Sequence, residues 1–154
     1  MCRCPDEIWF RGGDGIKSIQ GYDAFSRIVP ITKGWSDDKK YYIETSTGKR
    51  LLLRVMSFCE YDRKRAEFAV MQQLAALGVP MSQPMGFGTC NKGTSVYMLL
   101  TWCDGEDAEI ILPLMTKTEQ YVLGIRSGEI LRTIHSISAP GDQEEWRDRQ
   151  RPSS

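Results

Sequence analysis

The sequence predicts an α+β domain: a five-stranded antiparallel sheet with one inserted helix, followed by a linker and a long helix. Three observations predict it. Short β-branched and aromatic runs separated by turn residues recur between residues 27 and 103. A helical segment closed by Gly78 and Pro80 interrupts them after the third run. Beyond the Asp104-Gly105-Glu106 break, apolar residues recur at helical spacing.

Taken in order, residues 1–20 carry Pro5, a Gly12-Gly13-Asp14-Gly15 cluster and no periodic pattern, so they read as a loose leader. Strands are expected over residues 27–32, 39–45 and 50–56, the last two joined by a Thr47-Gly48-Lys49 turn, which makes a meander. The helix covers residues 60–77. Two more strands, 84–90 and 95–103, flank an Asn91-Lys92-Gly93 turn. A short helical piece over 107–114 precedes a long helix over 118–137, and Thr116 and Glu119 have the spacing of a capping box for it. Leu123, Ser127, Ile130, Ile134 and Ile137 form a stripe on that helix; Gly124 and Gly128 either meet a close neighbour or are simply tolerated. The domains expected are the leader (1–20), a sheet-and-helix lobe (21–104), a linker with helices (105–139) and a charged tail (140–154), disordered or a helix cut short.

At 154 residues the chain suits one domain, and its apolar and charged fractions, 41% and 26%, are those of a soluble globular protein. Lys+Arg and Asp+Glu both number 20, so no basic excess points to nucleic acid or an anionic membrane as partner. No apolar run is long enough to span a bilayer. The first residues lack a signal-peptide hydrophobic region, so a cytoplasmic location is expected. Five cysteines without CxxC spacing argue against a disulfide framework or a zinc site, and no metal ligands are expected.

Candidate chemistry starts at the helix. Glu67 shares a face with Val70, Met71 and Leu74, and a carboxylate on an apolar face needs a partner. In the third strand, period two places Leu52, Arg54 and Met56 on one face, so Arg54 is a cation among apolar neighbours just upstream of that helix. Two readings stand: a strand-to-helix ion pair that holds a cation against phosphates, or two solvated charges at the edge of the lobe. The loop from Lys33 to Asp38 contains Gly34 and Ser36, whose backbone and hydroxyl suit phosphate, but no GxGxxG or Walker motif is present and a plain hairpin turn remains open. Asp37 and Asp38 would repel phosphate unless they point away. The apolar strand ending at Thr101-Trp102-Cys103 runs into a polar turn, an edge of the kind that gives a purine a donor and an acceptor. The sole histidine, His135, lacks catalytic partners and reads as structural.

The pieces GWSDDKKYYIE, LLLRV, RAEF with LGVPMSQPMGFG, SVYMLLTWCDGED and LGIRSGEILRTIHSI, in that order over about residues 28–137, resemble the aminoglycoside/choline phosphotransferase family. The resemblance implies a protein-kinase-like amino-terminal lobe that binds ATP, with Mg²⁺ in the full-length family. It implies that Gly34 and Ser36 belong to the nucleotide-positioning loop and that Arg54 stands where the family usually has a phosphate-binding lysine, with Glu67 as its helix partner. Leu52 would lie against adenine, and Thr101 and Cys103 would offer it backbone groups. The family's H-G-D-x-x-x-x-N catalytic loop and later metal-binding Asp do not occur in this sequence. The resemblance therefore implies a chain truncated after the first helix of the carboxy-terminal lobe. No catalytic residue is assigned, and a small-molecule acceptor would be used only if a catalytic lobe were supplied. A non-catalytic nucleotide-binding or interaction module that pairs with another chain is the alternative, and an unrelated α+β domain a third.

Overall fold

Alternation in Arg50–Ser57 sends Leu51, Leu53 and Val55 to one side and Leu52, Arg54 and Met56 to the other, and this strand becomes the middle of the sheet. The computed structural model describes residues 14–33 and 38–138. Its elements are β1 (Phe25–Ile31), β2 (Lys39–Thr45), β3 (Arg50–Ser57), α1 (Tyr61–Ala76), β4 (Pro84–Cys90), β5 (Ser95–Thr101), α2 (Ala108–Ile111) and α3 (Lys117–Ile134). All strand pairs are antiparallel, in the order β1-β2-β3-β5-β4. This is the five-stranded α+β arrangement expected from the sequence. Pro30 and Pro84 fall on the two edge strands, the positions where a missing N–H costs no ladder hydrogen bond.

Both faces of the sheet are apolar. On one, Ile43, Leu51, Leu53, Val55 and Tyr97 pack with Ile16 and Ile19. On the other, Met56, Val96, Met98 and Leu100 pack with Leu52, Phe87 and the α1 side chains Tyr61, Phe68 and Met71. The first face corrects the expected leader: within residues 14–20, Ile16 and Ile19 are buried core, while residues 1–13 lie outside the described residues. The sequence pattern missed this because two isoleucines among glycines and polar residues show no periodicity.

α1 closes as its sequence demands. Gly78 takes φ 75°, its N–H bonds to Ala75 O at 3.0 Å, and Val79 N–H reaches Leu74 O at 3.1 Å, a Schellman closure that buries Val79. β5 ends at Thr101, two residues earlier than expected, as Trp102 donates to Arg50 O and the chain turns out of the sheet. The segment that follows is tied back to β3 by Arg50–Asp104 (2.5 and 2.6 Å) and to the residues just after β1 by Lys33–Asp107. Accordingly α2 belongs to the first of two compact units, which divide after Leu114 instead of at the 104/105 boundary expected from the turn.

In the second unit, Thr116 and Glu119 form the expected capping box: Thr116 N–H donates to Glu119 Oε2 at 2.7 Å, and Glu119 N–H donates to Thr116 Oγ1 at 3.3 Å. α3 ends at Ile134, so Ile137 lies past the helix, and Ser127 satisfies its hydroxyl on Leu123 O at 2.8 Å. A Cβ placed on Gly124 or Gly128 would meet nothing within 4 Å, so neither glycine marks a close approach. The expected charged tail lies outside the described residues. No described helix is long and apolar enough to cross a membrane.

Candidate functional site

The α1-covered face of β3 carries a closed ring of four charges. Arg54 Nη1 donates to Glu67 Oε1 at 3.2 Å, so the strand cation and the helix carboxylate meet. Lys64, one turn earlier on α1, reaches Glu67 Oε2 at 3.1 Å and Asp38 Oδ2 at 3.4 Å. Arg54 completes the ring through its other edge, with Nε 3.1 Å from Asp38 Oδ2 and Nη2 hydrogen-bonded to the same oxygen. The side chains are 5% (Lys64), 8% (Asp38), 19% (Arg54) and 35% (Glu67) exposed, so only Glu67 and part of Arg54 are open to solvent.

Local structure explains the convergence. Register sets Lys40 across from Arg54 on one side and Met98 on the other, so Arg54 emerges from the centre of the sheet. On α1, Lys64, Glu67, Phe68 and Met71 stand at i, i+3, i+4 and i+7, which is one face. Phe68 and Met71 seat that face on the sheet, and the two charged residues are carried down beside Arg54. Val70, assigned to this face from the sequence, is instead exposed. Burial of the Asp38 carboxylate would raise its pKa; the hydrogen bond and charge of Arg54 and the ammonium of Lys64 outweigh it and hold the group below the usual carboxylate range. Sequence reasoning singled out Arg54 and Glu67 but missed Lys64, whose signal was the i, i+3, i+4, i+7 spacing. It took Asp38 only as an acid that would repel phosphate unless it pointed away; in the structure Asp38 sits on the cation.

The other candidate residues fall elsewhere. Gly34 and Ser36 lie outside the described residues. Leu52 shares the Arg54 face, between Tyr42 and Leu100 in the ladder. Thr101 N–H donates to Gln83 O at 2.9 Å, and the Thr101 hydroxyl accepts from Gln83 N–H at 2.8 Å, so the Thr101 N–H is already engaged. Cys103 is exposed just past the strand, its Sγ 3.3 Å from Ser82 Oγ. Between them Trp102 meets Tyr42 edge to face, centroids 4.8 Å apart, which fixes the turn against β2. His135 caps the end of α3.

Among the described residues no group of three His, Cys, Asp or Glu could hold a metal ion. Both carboxylates near the cations are committed to Arg54 and Lys64, so these residues do not fit a Mg²⁺ site. An open cavity of about 340 Å³ runs along the start of α3, lined by Met115, Thr118, Glu119, Val122, Leu123 and Arg126. It shares no residue with the charge ring, and Glu119 is spent on the helix cap.

A comparison with protein-family models matches residues 27–153 to the phosphotransferase enzyme family, APH. No curated protein matches the chain. The match begins within β1, takes in the rest of the sheet, α1 and α3, and covers most of the chain. The chain therefore belongs to the phosphotransferase enzyme family, the aminoglycoside/choline type of kinase-like protein.

Proposed function

We propose that this chain is the ATP-binding portion of a small-molecule phosphotransferase, one that moves the γ-phosphoryl group of ATP to a hydroxyl. The observation that carries this reading is Arg54: a guanidinium on the central strand, held 3.2 Å from a helix carboxylate and still partly open to solvent. Phosphoryl transfer asks a protein mainly for positioned positive charge. Glu67 fixes the guanidinium without burying it, and planar, permanently charged Arg suits phosphate oxygens. Arg in place of the usual lysine keeps the charge and makes the contact forked. Adenine would lie on Leu52 and take its hydrogen bonds from the segment after β5. Thr101 N–H is spent on Gln83, which leaves the Cys103 N–H as the donor and the Thr101 carbonyl as the acceptor.

The H-G-D-x-x-x-x-N segment is absent from the sequence, so we expect no phosphotransfer by this chain alone. Turnover of an aminoglycoside with ATP would overturn that. The binding test is calorimetry with ATP. Loss of a charged hydrogen bond costs about 1.5–3 kcal/mol, so Arg54→Ala should weaken ATP roughly 10- to 150-fold and Arg54→Lys much less. Equal affinities for wild type and Arg54→Ala would remove Arg54 from the site. A second reading, a non-catalytic module that pairs with another chain, is favoured by exposed Tyr121, Ile125 and Leu131 on α3. Under that reading light scattering after pull-down shows a heterodimer; a monomer with no partner counts against it.

A further inference from the structure

The charge ring contains more than the Arg54–Glu67 pair requires. Three N–H donors from two elements converge on one oxygen: Arg54 Nε and Nη2 from β3, and Lys64 Nζ from α1, all on Asp38 Oδ2. A lysine 5% exposed is an unusual residue to place on a helix face, because its charge must be compensated wherever it is buried. The β2–β3 register also sets Lys40 directly across from Arg54 on the same face, a like-charge pairing that disfavours the fold by itself. Arg54 and Lys64 thus share two carboxylates, with a third cation, Lys40, at the register position facing Arg54. An anionic oxygen that receives a guanidinium edge and an ammonium together is in the environment a phosphoryl oxygen takes.

We propose that Lys64 is a second cation of the phosphate site, and that Asp38 is an internal anion occupying the Arg54–Lys64 pair until a polyphosphate chain displaces it. This rests on the reading of Arg54 as a phosphate-binding cation. With Asp38 in place, two cations and two carboxylates leave the ring neutral. With Asp38 turned out, Arg54 and Lys64 against Glu67 leave one net positive charge, beside Lys40. The displacement leaves the sheet intact, because the β2–β3 ladder begins one residue later, at Lys39↔Val55. Glu67 meanwhile holds both cations in position, Oε1 on Arg54 and Oε2 on Lys64. Since Asp38 is part of the same chain, it competes at high effective concentration and lowers the affinity for any external anion. Two cations from different elements select a ligand with several adjacent charged oxygens, a nucleoside triphosphate or inorganic tripolyphosphate, over a single phosphate.

The test is calorimetric titration of the 154-residue chain with inorganic tripolyphosphate, without metal, and in parallel with adenosine. Asp38→Asn should bind tripolyphosphate at least tenfold more tightly than wild type, with Asp38→Ala as the second variant should the amide fold poorly. Lys64→Met should bind it about tenfold more weakly, and Lys64→Arg should restore it. Adenosine affinity should change in none of them, which separates a charge effect from a general loosening of the lobe. Unchanged or weaker tripolyphosphate binding in both Asp38 variants overturns the proposal, as does Lys64→Met binding like wild type. If Arg54→Ala loses tripolyphosphate while the Asp38 variants gain nothing, this inference fails and the phosphate reading of Arg54 stands. If Arg54→Ala binds like wild type, both fail together.

Discussion

Replacing Lys64 by Met removes one charge from the ring while keeping an unbranched apolar side chain in the same space. Lys64 is 5% exposed and lies 3.1 Å from Glu67 and 3.4 Å from Asp38. Breaking a buried ion pair from one side costs about 3–5 kcal/mol, because the remaining charge is left uncompensated. Here both carboxylates keep Arg54, at 3.1 Å from Asp38 and 3.2 Å from Glu67, so the low end applies, about 3 kcal/mol. For a chain of this size each kcal/mol moves Tm by about 2–4 °C, so Lys64→Met should melt roughly 6–12 °C below wild type at pH 7. Far-UV circular dichroism melts measure this directly. The pH dependence supplies a second arm. Because Asp38 is ionised more easily in the folded state, its contribution is fully present above the unfolded carboxylate pKa near 4 and is lost as pH falls through the lower folded value. Removing Lys64 takes away one of the charges that depress that pKa, so the variant has less of this contribution to lose and its acid limb should be shallower and end at higher pH. A melting point within about 2 °C of wild type at pH 7, or a gap that does not close below about pH 4, would refute a ring that depends on Lys64.

Gly88 faces Tyr97 across the β4–β5 ladder, and a Cβ there would lie 2.9 Å from the buried ring, so Gly88→Ala should destabilise by about 1–3 kcal/mol in urea unfolding. Gly124→Ala and Gly128→Ala have open space and remove helix-interior glycines, so each should stabilise α3 by about 0.5–1 kcal/mol, seen as higher helicity and Tm. Burial pushes the Cys90 thiol up to about 11, so alkylation at pH 8 followed by peptide mapping should label exposed Cys59 and Cys103 and spare Cys90 until the chain unfolds. In the same assay, ATP should slow the labelling of Cys103 and leave Cys59 unaffected; equal protection or none would count against adenine at the segment after β5.

The strands, α1 and the cap of α3 were legible because each rests on local chemistry. Period two in β3 fixed which side chains share a face, Gly78 supplied the left-handed residue that closes α1, and Thr116 with Glu119 started α3. The same period-two reading put Arg54 among apolar neighbours, and helical spacing put Glu67 on the apolar face of α1. What the sequence by itself could not decide was the company those two residues keep. Ile16 and Ile19 became core only because the sheet presents an uncovered apolar face to them, a contact with no periodic trace. Asp38 read only as an acid that would repel phosphate unless it pointed away, and Lys64 was not singled out at all. Their meeting at one carboxylate oxygen depends on α1 packing across β3 and on the strand register, both products of long-range contact. Local pattern placed a cation and a carboxylate each on an apolar face; tertiary packing decided that they pair and that the cation is already occupied.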